Sequence, residues 1–351
     1  MKQPAATKMV MRLVLATSCA GALALPGTIP MSVTASASTV APRAVSALPL
    51  VTVGRNAWVA VSVTTLWRTP TYARAVDRPA LTNPASIRQW LSRMTLTDRR
   101  GLNGRADTQA LFGDRVIVVA RSGSWVKVVV PDQPTPLDAR GYPGWVPTVQ
   151  LTAIRPVAST WVATVVARTT YLRTDNAAAT PVTEISFGTR LPRVGATGRW
   201  VRVMTPTGRV RRVYASAVAV RAPSAAALPV TGSDVVRTAQ MFGGLPYLWA
   251  GRSGFGFDCS GLTSLDLRTH GVIIPRDADA QARRGTAVPG RTLRPGDLLF
   301  YATRGNVHHV SIYAGSGRMV QAPKTGSTVQ TIAVSTPSYA REFAGARRYI
   351  R

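Results

Sequence analysis

The 351-residue sequence is poor in cysteine, in lysine and in acidic residues. Its two cysteines, Cys19 and Cys259, exclude a disulfide scaffold and a zinc site built from several cysteines. It has 15 acidic residues against 43 basic ones, only four of the basic residues are lysines, and the formal net charge is +28. Such an arginine-rich cation is expected to bind a polyanion: a nucleic acid, an anionic membrane or an anionic cell wall. Charge alone does not choose among them.

The sequence also lacks an uninterrupted apolar run of the roughly 20 residues that span a bilayer. Its best candidate, Leu13–Leu25, contains Ser, Cys and Gly, follows three basic residues, and precedes an Ala-Ser-Ala motif at 35–37. This order predicts a secretory signal peptide over residues 1–37. The alternatives are a membrane anchor and a lipoprotein acylated at Cys19. We expect a secreted, wall-associated product that has no membrane span after cleavage and keeps Cys259 as its one thiol.

Residues 50–221 form short segments rich in Val, Thr and Trp, separated by Gly, Pro and Asp. This pattern is typical of small β-barrels or sandwiches. One unit occurs twice, because Phe112 and Trp125 recur 75 residues later as Phe187 and Trp200. The opening segments are offset by 103 residues, so the first copy contains an insertion of about 28 residues.

Part of the insertion is predicted to be helical. The apolar stripe at the spacing i, i+3, i+4 and i+7 comprises Ile87, Trp90, Leu91 and Met94. Asn83 is predicted to cap this helix, with Pro84 in its first turn. We expect the stripe to pack on the first β-barrel; a disordered insert is the alternative.

The character of the sequence changes after an Ala/Pro-rich linker at 222–232. Helices are predicted from Ser233 to Phe242 and from Cys259 to His270, and strands near 297–301, 310–313 and 318–322. A helical half followed by strands indicates an α+β domain. The predicted organisation is a signal peptide (1–37), a linker (38–49), a first β-domain with the insertion (50–156), a second β-domain (157–221), a linker (222–232) and the α+β domain (233–351).

The residues with catalytic chemistry lie in this last domain. Cys259 begins a predicted helix, whose N–H groups and dipole are expected to lower the thiol pKa and to receive an oxyanion. A buried packing cysteine is the alternative. His308 and His309 begin a strand, so only one of them can face the thiol, and the pair is a poor metal site. A thiol and a histidine provide the nucleophile and base of thiol acyl transfer, whereas His270 suits a helix C-terminus.

Six sequence blocks carry a family resemblance. In chain order they are PYLWAG at 246–251, FDCSGL at 257–262, PRD at 275–277, RPGDLLF at 294–300, HVSIY at 309–313 and QAP at 321–323. They resemble the ordered motifs of the NlpC-type papain-like cell-wall peptidases. The paired β-units resemble bacterial SH3-like domains. The whole arrangement is similar to the γ-D-glutamyl-L-diamino-acid endopeptidases, which cut the peptide stem of peptidoglycan.

The resemblance assigns roles to the catalytic residues. It implies that Cys259 is the nucleophile and that His309, rather than His308, is the general base. The third position, commonly a histidine that orients the base, falls on Gln321, whose amide can accept a hydrogen bond from the imidazole. Tyr247 is expected to donate its hydroxyl near the oxyanion.

The resemblance also implies substrate contacts. Trp249, Asp258 and Ser260 match positions that line the substrate groove. An acidic residue and a tyrosine of the first SH3-like domain help such endopeptidases to recognise the free amine of the stem's L-Ala, and the nearest matches are Asp114 and Tyr142. At position 278, after the Arg-Asp pair, these endopeptidases often have a serine, whereas this chain has Ala278.

These observations predict a multidomain protein with two all-β SH3-like barrels and an α+β papain-like domain. We expect a secreted cysteine endopeptidase that cleaves the amide between D-Glu and a diamino acid of peptidoglycan stems, without a metal or cofactor. The expected partners are stem peptides and the anionic wall, not nucleic acid. The rivals are a non-catalytic wall-binding protein, with Gln321 marking a decayed site, and a polyanion-binding protein.

Overall fold

The computed structural model describes residues 49–289 and 292–350. The predicted signal peptide and Cys19 lie outside the described residues. Within them, two antiparallel seven-stranded sheets precede a mixed helix and strand region. This is the multidomain architecture that the sequence predicted. No helix among the described residues is long and apolar enough to cross a membrane.

The first sheet belongs to the N-terminal SH3-like domain. Its strands are β1 (Asn56–Val59), β2 (Val63–Trp67), β3 (Ala106–Leu111), β4 (Arg115–Ser122), β5 (Trp125–Val130), β6 (Tyr142–Pro147) and β7 (Leu151–Thr152). They lie in the spatial order β3-β2-β6-β5-β4-β1-β7. Alternate valines of β4, β5 and β6 point into the barrel and form its core, as the period of two requires.

The insertion lies between β2 and β3. It contains the 3-10 helices Pro70–Tyr72 and Ala75–Ala80 and the helices α1 (Ile87–Arg93) and α2 (Leu96–Arg100). Trp90 of α1 is buried, and its indole N–H donates to an oxygen of Asp77 at 2.8 Å. The predicted cap was wrong, since Ser86 is the N-cap residue of α1. Asn83 instead donates its side-chain amide to the carbonyl of Val149 at 2.8 Å.

The second sheet repeats the first. Its strands are β8 (Val162–Val165), β9 (Thr169–Thr174), β10 (Pro181–Ser186), β11 (Arg190–Thr197), β12 (Trp200–Met204), β13 (Val210–Tyr214) and β14 (Val218–Arg221). They lie in the order β10-β9-β13-β12-β11-β8-β14, which is the first order with every number raised by seven. The internal repeat read from the sequence is therefore confirmed at the level of strand order.

The C-terminal region surrounds a buried helix. Its helices are α3 (Gly232–Met241), α4 (Cys259–Thr269), α5 (Ala278–Ala282) and α6 (Pro337–Glu342). Its strands are β15 (Arg252–Ser253), β16 (Gly256–Phe257), β17 (Thr286–Val288), β18 (Leu298–Thr303), β19 (Asn306–Gly315), β20 (Arg318–Gln321), β21 (Gln330–Ala333) and β22 (Phe343–Arg348). The main sheet has the order β17-β22-β18-β19-β20-β21. Helix α4 begins at Cys259 as predicted, whereas α3 begins at Gly232, one residue before the predicted start, with Thr231 as its N-cap residue.

The domains share one hydrophobic core. Every residue of α4 except Arg268 is buried, so this helix is enclosed on all sides. Phe242 of the α3 C-terminus makes edge-to-face contacts with Phe187 of the second SH3-like domain and with Phe257 of β16, with ring centroids 5.2 and 4.8 Å apart. The same cluster includes Trp90 of the insertion. Because this core is shared, the β-domains pack directly against the helix that carries the thiol.

Candidate active site

The thiol lies at the first residue of α4. Asp258 is the N-cap residue, and its side chain accepts a hydrogen bond from the Gly261 N–H at 2.7 Å. A side chain at Gly261 is excluded, because its Cβ would lie 2.0 Å from the carbonyl oxygen of Gly251. The Asp-Cys-Ser-Gly sequence thus gives α4 a capped start and brings it close against the preceding loop. Cys259 is buried there.

The electrostatics of Cys259 differ from the sequence-based expectation. Burial raises the pKa of the thiol to about 12, and the neighbouring Asp258 carboxylate adds to the rise. The backbones of Val310 and Ser260 oppose it without cancelling it. The predicted lowering of the pKa by the helix start was therefore wrong, because desolvation of the thiolate outweighs the helix amides. Cys259 therefore rests as a neutral thiol.

The strand β19 presents its two histidines to opposite sides. His309 is buried, whereas His308 is exposed, with its Nε2 atom 3.5 Å from Glu342. The His309 Nε2 atom and the Oε1 atom of Gln321, on β20, are 2.6 Å apart. Since an amide oxygen only accepts, this hydrogen bond assigns the imidazole proton to Nε2 and leaves Nδ1 as the basic nitrogen. Burial lowers the pKa of His309 to about 4, so the imidazole is neutral at pH 7.

The sheet places His309 next in sequence to a residue that contacts the Cys259 thiol. Helix α4 packs on β19, and the backbone of Val310, which follows His309, reaches the Cys259 thiol. Tyr247 is joined to Phe257 by an isolated β-bridge and is buried on this side of α4. Burial and the adjacent Cys259 thiol raise its pKa well above the usual range, so the Tyr247 hydroxyl keeps its proton and can donate it to an oxyanion.

Tyr339 of α6 is a site residue that the sequence did not reveal. Its ring centroid lies 5.6 Å from that of His309 and 5.2 Å from that of Tyr301. Burial raises the pKa of Tyr339, and the side-chain amide of Gln321 opposes this rise, so the phenol faces that amide. The Gln321 Nε2 atom is itself buried without a hydrogen-bond partner in the described structure. Tyr339 belongs to none of the six sequence blocks, so no motif indicated it.

Arg276 links the thiol loop to the first SH3-like domain. Its guanidinium donates to both carboxylate oxygens of Asp258, at 3.1 and 2.6 Å, to the Ser260 hydroxyl at 2.8 Å and to the Thr108 hydroxyl at 2.7 Å. Asp258, Ser260 and Arg276 are all buried. Two residues expected to line the substrate groove therefore hold this arginine in place.

An acidic cluster lies at the boundary with the first SH3-like domain. Trp249 donates its indole N–H to the Ala106 carbonyl at 2.8 Å, which fixes β3 beside the site. Tyr142 donates its hydroxyl to Asp277 at 3.0 Å. Asp107, which follows Ala106, is close enough to Tyr142 to help raise its pKa. Asp107 also accepts a hydrogen bond from Arg68 at 2.8 Å. Asp277 and Asp107 thus place two carboxylates around one buried phenol, where further oxygens can accept from an ammonium group.

Comparison with known proteins identifies the family. The NlpC/P60 family matches residues 244–348, and the YKFC SH3b2 domain matches residues 165–220. A γ-D-glutamyl-L-lysine dipeptidyl-peptidase of Bacillus cereus is 40% identical over 310 residues, which cover 84% of this chain and 91% of that protein. The chain belongs to the NlpC/P60 family. It is a cysteine peptidase of this family, as its motifs predicted.

Two further NlpC/P60 relatives match over most of the chain. A γ-D-glutamyl-L-lysine dipeptidyl-peptidase of Bacillus subtilis is 37% identical over 292 residues, which cover 82% of this chain and 96% of that protein. The crystal structure of an NlpC/P60 family protein from Bacillus cereus has a TM-score of 0.81 at 38% identity, covering 85% of this chain and 100% of that chain. The similarity therefore extends beyond the NlpC/P60 domain to the β-domains.

The structure places Asp114 away from the NlpC/P60 site. Its carboxylate accepts from the Leu111 N–H at 2.9 Å and from Arg268 at 2.9 Å. Arg268 is nine residues beyond Cys259 on α4, about 14 Å along the helix axis at 1.5 Å per residue. Asp114 thus joins the first SH3-like domain to the far end of α4, and the acidic residues beside Tyr142 are Asp277 and Asp107. His270 also lies at that far end, as its C-cap residue.

Proposed function

We propose that this protein is a secreted cysteine endopeptidase that hydrolyses the γ-D-glutamyl–diamino acid amide bond of peptidoglycan stem peptides. The observation that carries the proposal is the His309–Gln321 hydrogen bond beside the buried Cys259 thiol. The choice of the scissile bond rests on the names of the two Bacillus relatives, each of which is similar over more than four fifths of this chain. A degenerate, wall-binding role does not explain why Gln321 is oriented to fix the histidine tautomer.

The neutral resting pair dictates the order of proton transfers. When the scissile carbonyl approaches, the Cys259 thiol passes its proton to Nδ1 of His309 as sulfur attacks the carbonyl carbon. The tetrahedral oxyanion forms beside the Tyr247 hydroxyl and the N–H groups at the start of α4. His309 then returns the proton to the leaving amine of the diamino acid, and the C–N bond breaks, which leaves a thioester on Cys259.

Hydrolysis of the thioester completes the cycle. A water molecule gives a proton to Nδ1 of His309 and attacks the thioester carbonyl carbon. The C–S bond breaks, the γ-carboxyl group of the D-Glu product is released, and the proton restores the Cys259 thiol. Throughout, Gln321 accepts the Nε2 hydrogen bond and holds the ring orientation. It contributes no charge to the imidazolium, unlike a carboxylate.

The acidic cluster of Asp277 and Asp107 suggests how the stem is positioned. Asp277 and Asp107 lie around the Tyr142 hydroxyl, where the ammonium group of an N-terminal L-Ala gains charge-assisted hydrogen bonds. Anchoring of this group sets how many residues reach the thiol, so cleavage follows the second residue of the stem. Amine recognition by the first SH3-like domain thus survives as a proposal, with Asp107 in place of Asp114.

A defined stem peptide tests the proposal. L-Ala-γ-D-Glu-L-Lys and its diaminopimelate counterpart should each yield L-Ala-D-Glu, identified by mass, and Cys259→Ala should abolish the product. The Asp277→Asn variant should raise KM for the free-amine stem and change little with an N-acetylated stem. Asp114→Asn is the matched control and should leave this discrimination intact. Turnover by Cys259→Ala, or cleavage only at other bonds, would contradict the proposal.

Export has its own test. The mature protein recovered outside the expressing cell should begin at Ser38, after the Ala-Ser-Ala motif at 35–37. Recovery of unprocessed chain inside the cell would contradict secretion without affecting the bond assignment.

A further inference from the structure

The two SH3-like domains differ in whether the outward face of the sheet is covered by other parts of the chain. In the first domain, Trp67, Trp125 and Trp145 from this face lie in the hydrophobic cluster shared with the insertion and the NlpC/P60 domain. In the second domain, the barrel core contains Val201 and Val203 of β12, so the alternate residues of that strand point outward. The outward side of the second sheet is therefore the counterpart of a buried surface.

Strand register shows which residues of the second sheet are equivalent to those of the first. In the first sheet, Trp145 of β6 is paired with Trp67 of β2 and with Lys127 of β5. At the same crossing in the second sheet, Arg212 of β13 is paired with Arg173 of β9 and with Arg202 of β12. The buried Trp67 and the half-buried Trp145 of the first domain are thus replaced by arginines in the second.

The arginines surround an aromatic pair. Trp200 and Tyr214 stack with ring centroids 4.3 Å apart. The guanidinium of Arg173 lies 5.3 Å from the centroid of Tyr214, and that of Arg199 lies 5.3 Å from Trp200 and 5.7 Å from Tyr214. Such cation–π contacts hold guanidinium groups in place. Arg199 stays exposed, whereas Arg173 is half-buried, with its Nε atom enclosed and its Nη1 atom donating to the Ala179 carbonyl at 3.0 Å. We refer to Arg173, Arg199, Arg202, Arg212, Trp200 and Tyr214 as the arginine–aromatic face.

The arginine–aromatic face carries a net positive charge. One carboxylate, Asp175, accepts hydrogen bonds from both Arg202 and Arg212, and these lower the pKa of Asp175 to about 2. Arg173 and Arg199 form no salt bridge within the described part of the chain. Four guanidinium groups therefore face one carboxylate, and two of the four have no carboxylate partner there. All side-chain hydrogen bonds described for these arginines stay within the second domain.

We propose that the arginine–aromatic face binds the phosphodiester groups of an anionic cell-wall polymer. The planar guanidinium fork matches the geometry of phosphate oxygens, and neighbouring arginines match a repeating phosphate. The choice of a wall polymer rests on the proposed function, whereas phosphate recognition rests on the face itself. The face does not favour another copy of the chain, because like charges would meet.

The geometry favours a sugar or polyol phosphate chain over a nucleic acid. Proteins that bind single-stranded nucleic acids stack bases on open aromatic rings. Here the rings of Trp200 and Tyr214 stack on each other, and the guanidinium groups of Arg199 and Arg173 lie over them. The surface therefore offers cations rather than free ring faces.

Binding to poly(glycerol phosphate), measured with the full mature chain at several salt concentrations, tests the proposal. The double variant Arg173→Gln/Arg199→Gln should bind at least about tenfold more weakly, since two charge-assisted contacts are lost. Its slope of log K against log salt should fall by about two. The matched control is Arg155→Gln/Arg221→Gln, which removes the same charge from exposed positions and should retain wild-type binding within about twofold.

Three outcomes would overturn the proposal. They are equal weakening by the two double variants, tighter binding to single-stranded DNA than to poly(glycerol phosphate) at equal phosphate concentration, and concentration-dependent dimers that Arg173→Gln/Arg199→Gln abolishes. The measurements also distinguish failure of the polymer-binding proposal from failure of the proposed peptidase function. Arg173→Gln/Arg199→Gln should cleave a soluble stem peptide at the wild-type rate, and Cys259→Ala should bind the polymer normally.

Discussion

The Nε2 atom of His309 lies 2.6 Å from the Oε1 atom of Gln321. The position of Gln321 is one that a histidine commonly occupies in the peptidases whose motifs this chain resembles. A neutral amide fixes the tautomer of the base but adds no charge to it. Together with the raised pKa of Cys259 and the lowered pKa of His309, it makes the resting site a neutral pair.

Removal of the Gln321 amide should slow catalysis. In Gln321→Ala the buried Nε2–H of His309 loses its acceptor, which costs about 1 to 3 kcal/mol. We therefore expect kcat to fall by about 5-fold to 150-fold, with KM for the stem peptide unchanged, in steady-state kinetics. Gln321→His should retain far more activity, and equal loss in both variants would contradict an orienting role.

A carboxylate at position 321 should move the acid limb of the pH profile. Protonation of His309, whose pKa is about 4, removes the base, so kcat/KM should decline only near that pH. In Gln321→Glu the carboxylate favours the imidazolium and raises the His309 pKa, which shifts the acid limb upward by about one to three pH units. A profile of kcat/KM from pH 3 to 9 measures this, and an unshifted or lower limb would contradict it.

The Cys259 thiol should alkylate slowly in the free enzyme. Its pKa of about 12 leaves little thiolate at neutral pH, and burial limits access. The rate with iodoacetamide should therefore lie well below that of the denatured chain at pH 7 and should keep rising above pH 9. A rate that reaches a plateau below pH 8 would indicate a resting ion pair instead. Slow alkylation of this kind is compatible with an active peptidase.

The Arg276–Asp258 pair should stabilise the fold strongly. Arg276→Leu leaves the buried carboxylate of Asp258 without its partner, a change that costs about 3 to 5 kcal/mol. The matched control is Arg283→Leu, since Arg283 pairs with Asp279 at the surface, where such pairs contribute at most about 1 kcal/mol. Urea denaturation measures both free energies of unfolding, and equal losses would contradict the prediction.

Tyr339 should act through Gln321. Tyr339→Phe keeps the ring contacts with His309 and Tyr301 but removes the hydroxyl that faces the Gln321 amide. Because the Gln321 Nε2 atom has no hydrogen-bond partner in the described structure, the substitution removes a neighbouring phenol rather than a formed hydrogen bond, and kcat should fall by no more than about 10-fold. In the Gln321→Ala background the same substitution should have almost no effect. Additive losses in the double variant would show that the two residues act separately.

Local patterns were enough for much of the fold and part of the site. The 75-residue offset of Phe112 and Trp125 predicted the repeated strand order, since equivalent residues occupy equivalent strands. The helix predicted from Cys259 to His270 is α4, which spans Cys259–Thr269. Alternation along a strand predicted that only one of His308 and His309 is buried with the thiol, because neighbouring strand residues face opposite sides.

Long-range packing decided the residues that were misplaced or missed. Asp114 and Asp107 are both acidic residues near β3, and only the docking of α4 shows that Asp114 pairs with Arg268 while Asp107 lies beside Tyr142. Tyr339 reaches the site from a six-residue helix that carries no motif. A helix start by itself lowers a thiol pKa, but enclosure of Cys259 by the other elements reverses the sign.

The sequence by itself determined the family and the two SH3-like barrels, and it predicted Cys259 as nucleophile and His309 as base, because motif residues and strand periodicity are local properties of the chain. Only the tertiary structure decided the charge state of Cys259 and His309, which acidic residues lie beside Tyr142, and which of the two equivalent sheet faces is buried. Those depend on which surfaces are desolvated when distant segments pack, and desolvation is a property of the assembled fold.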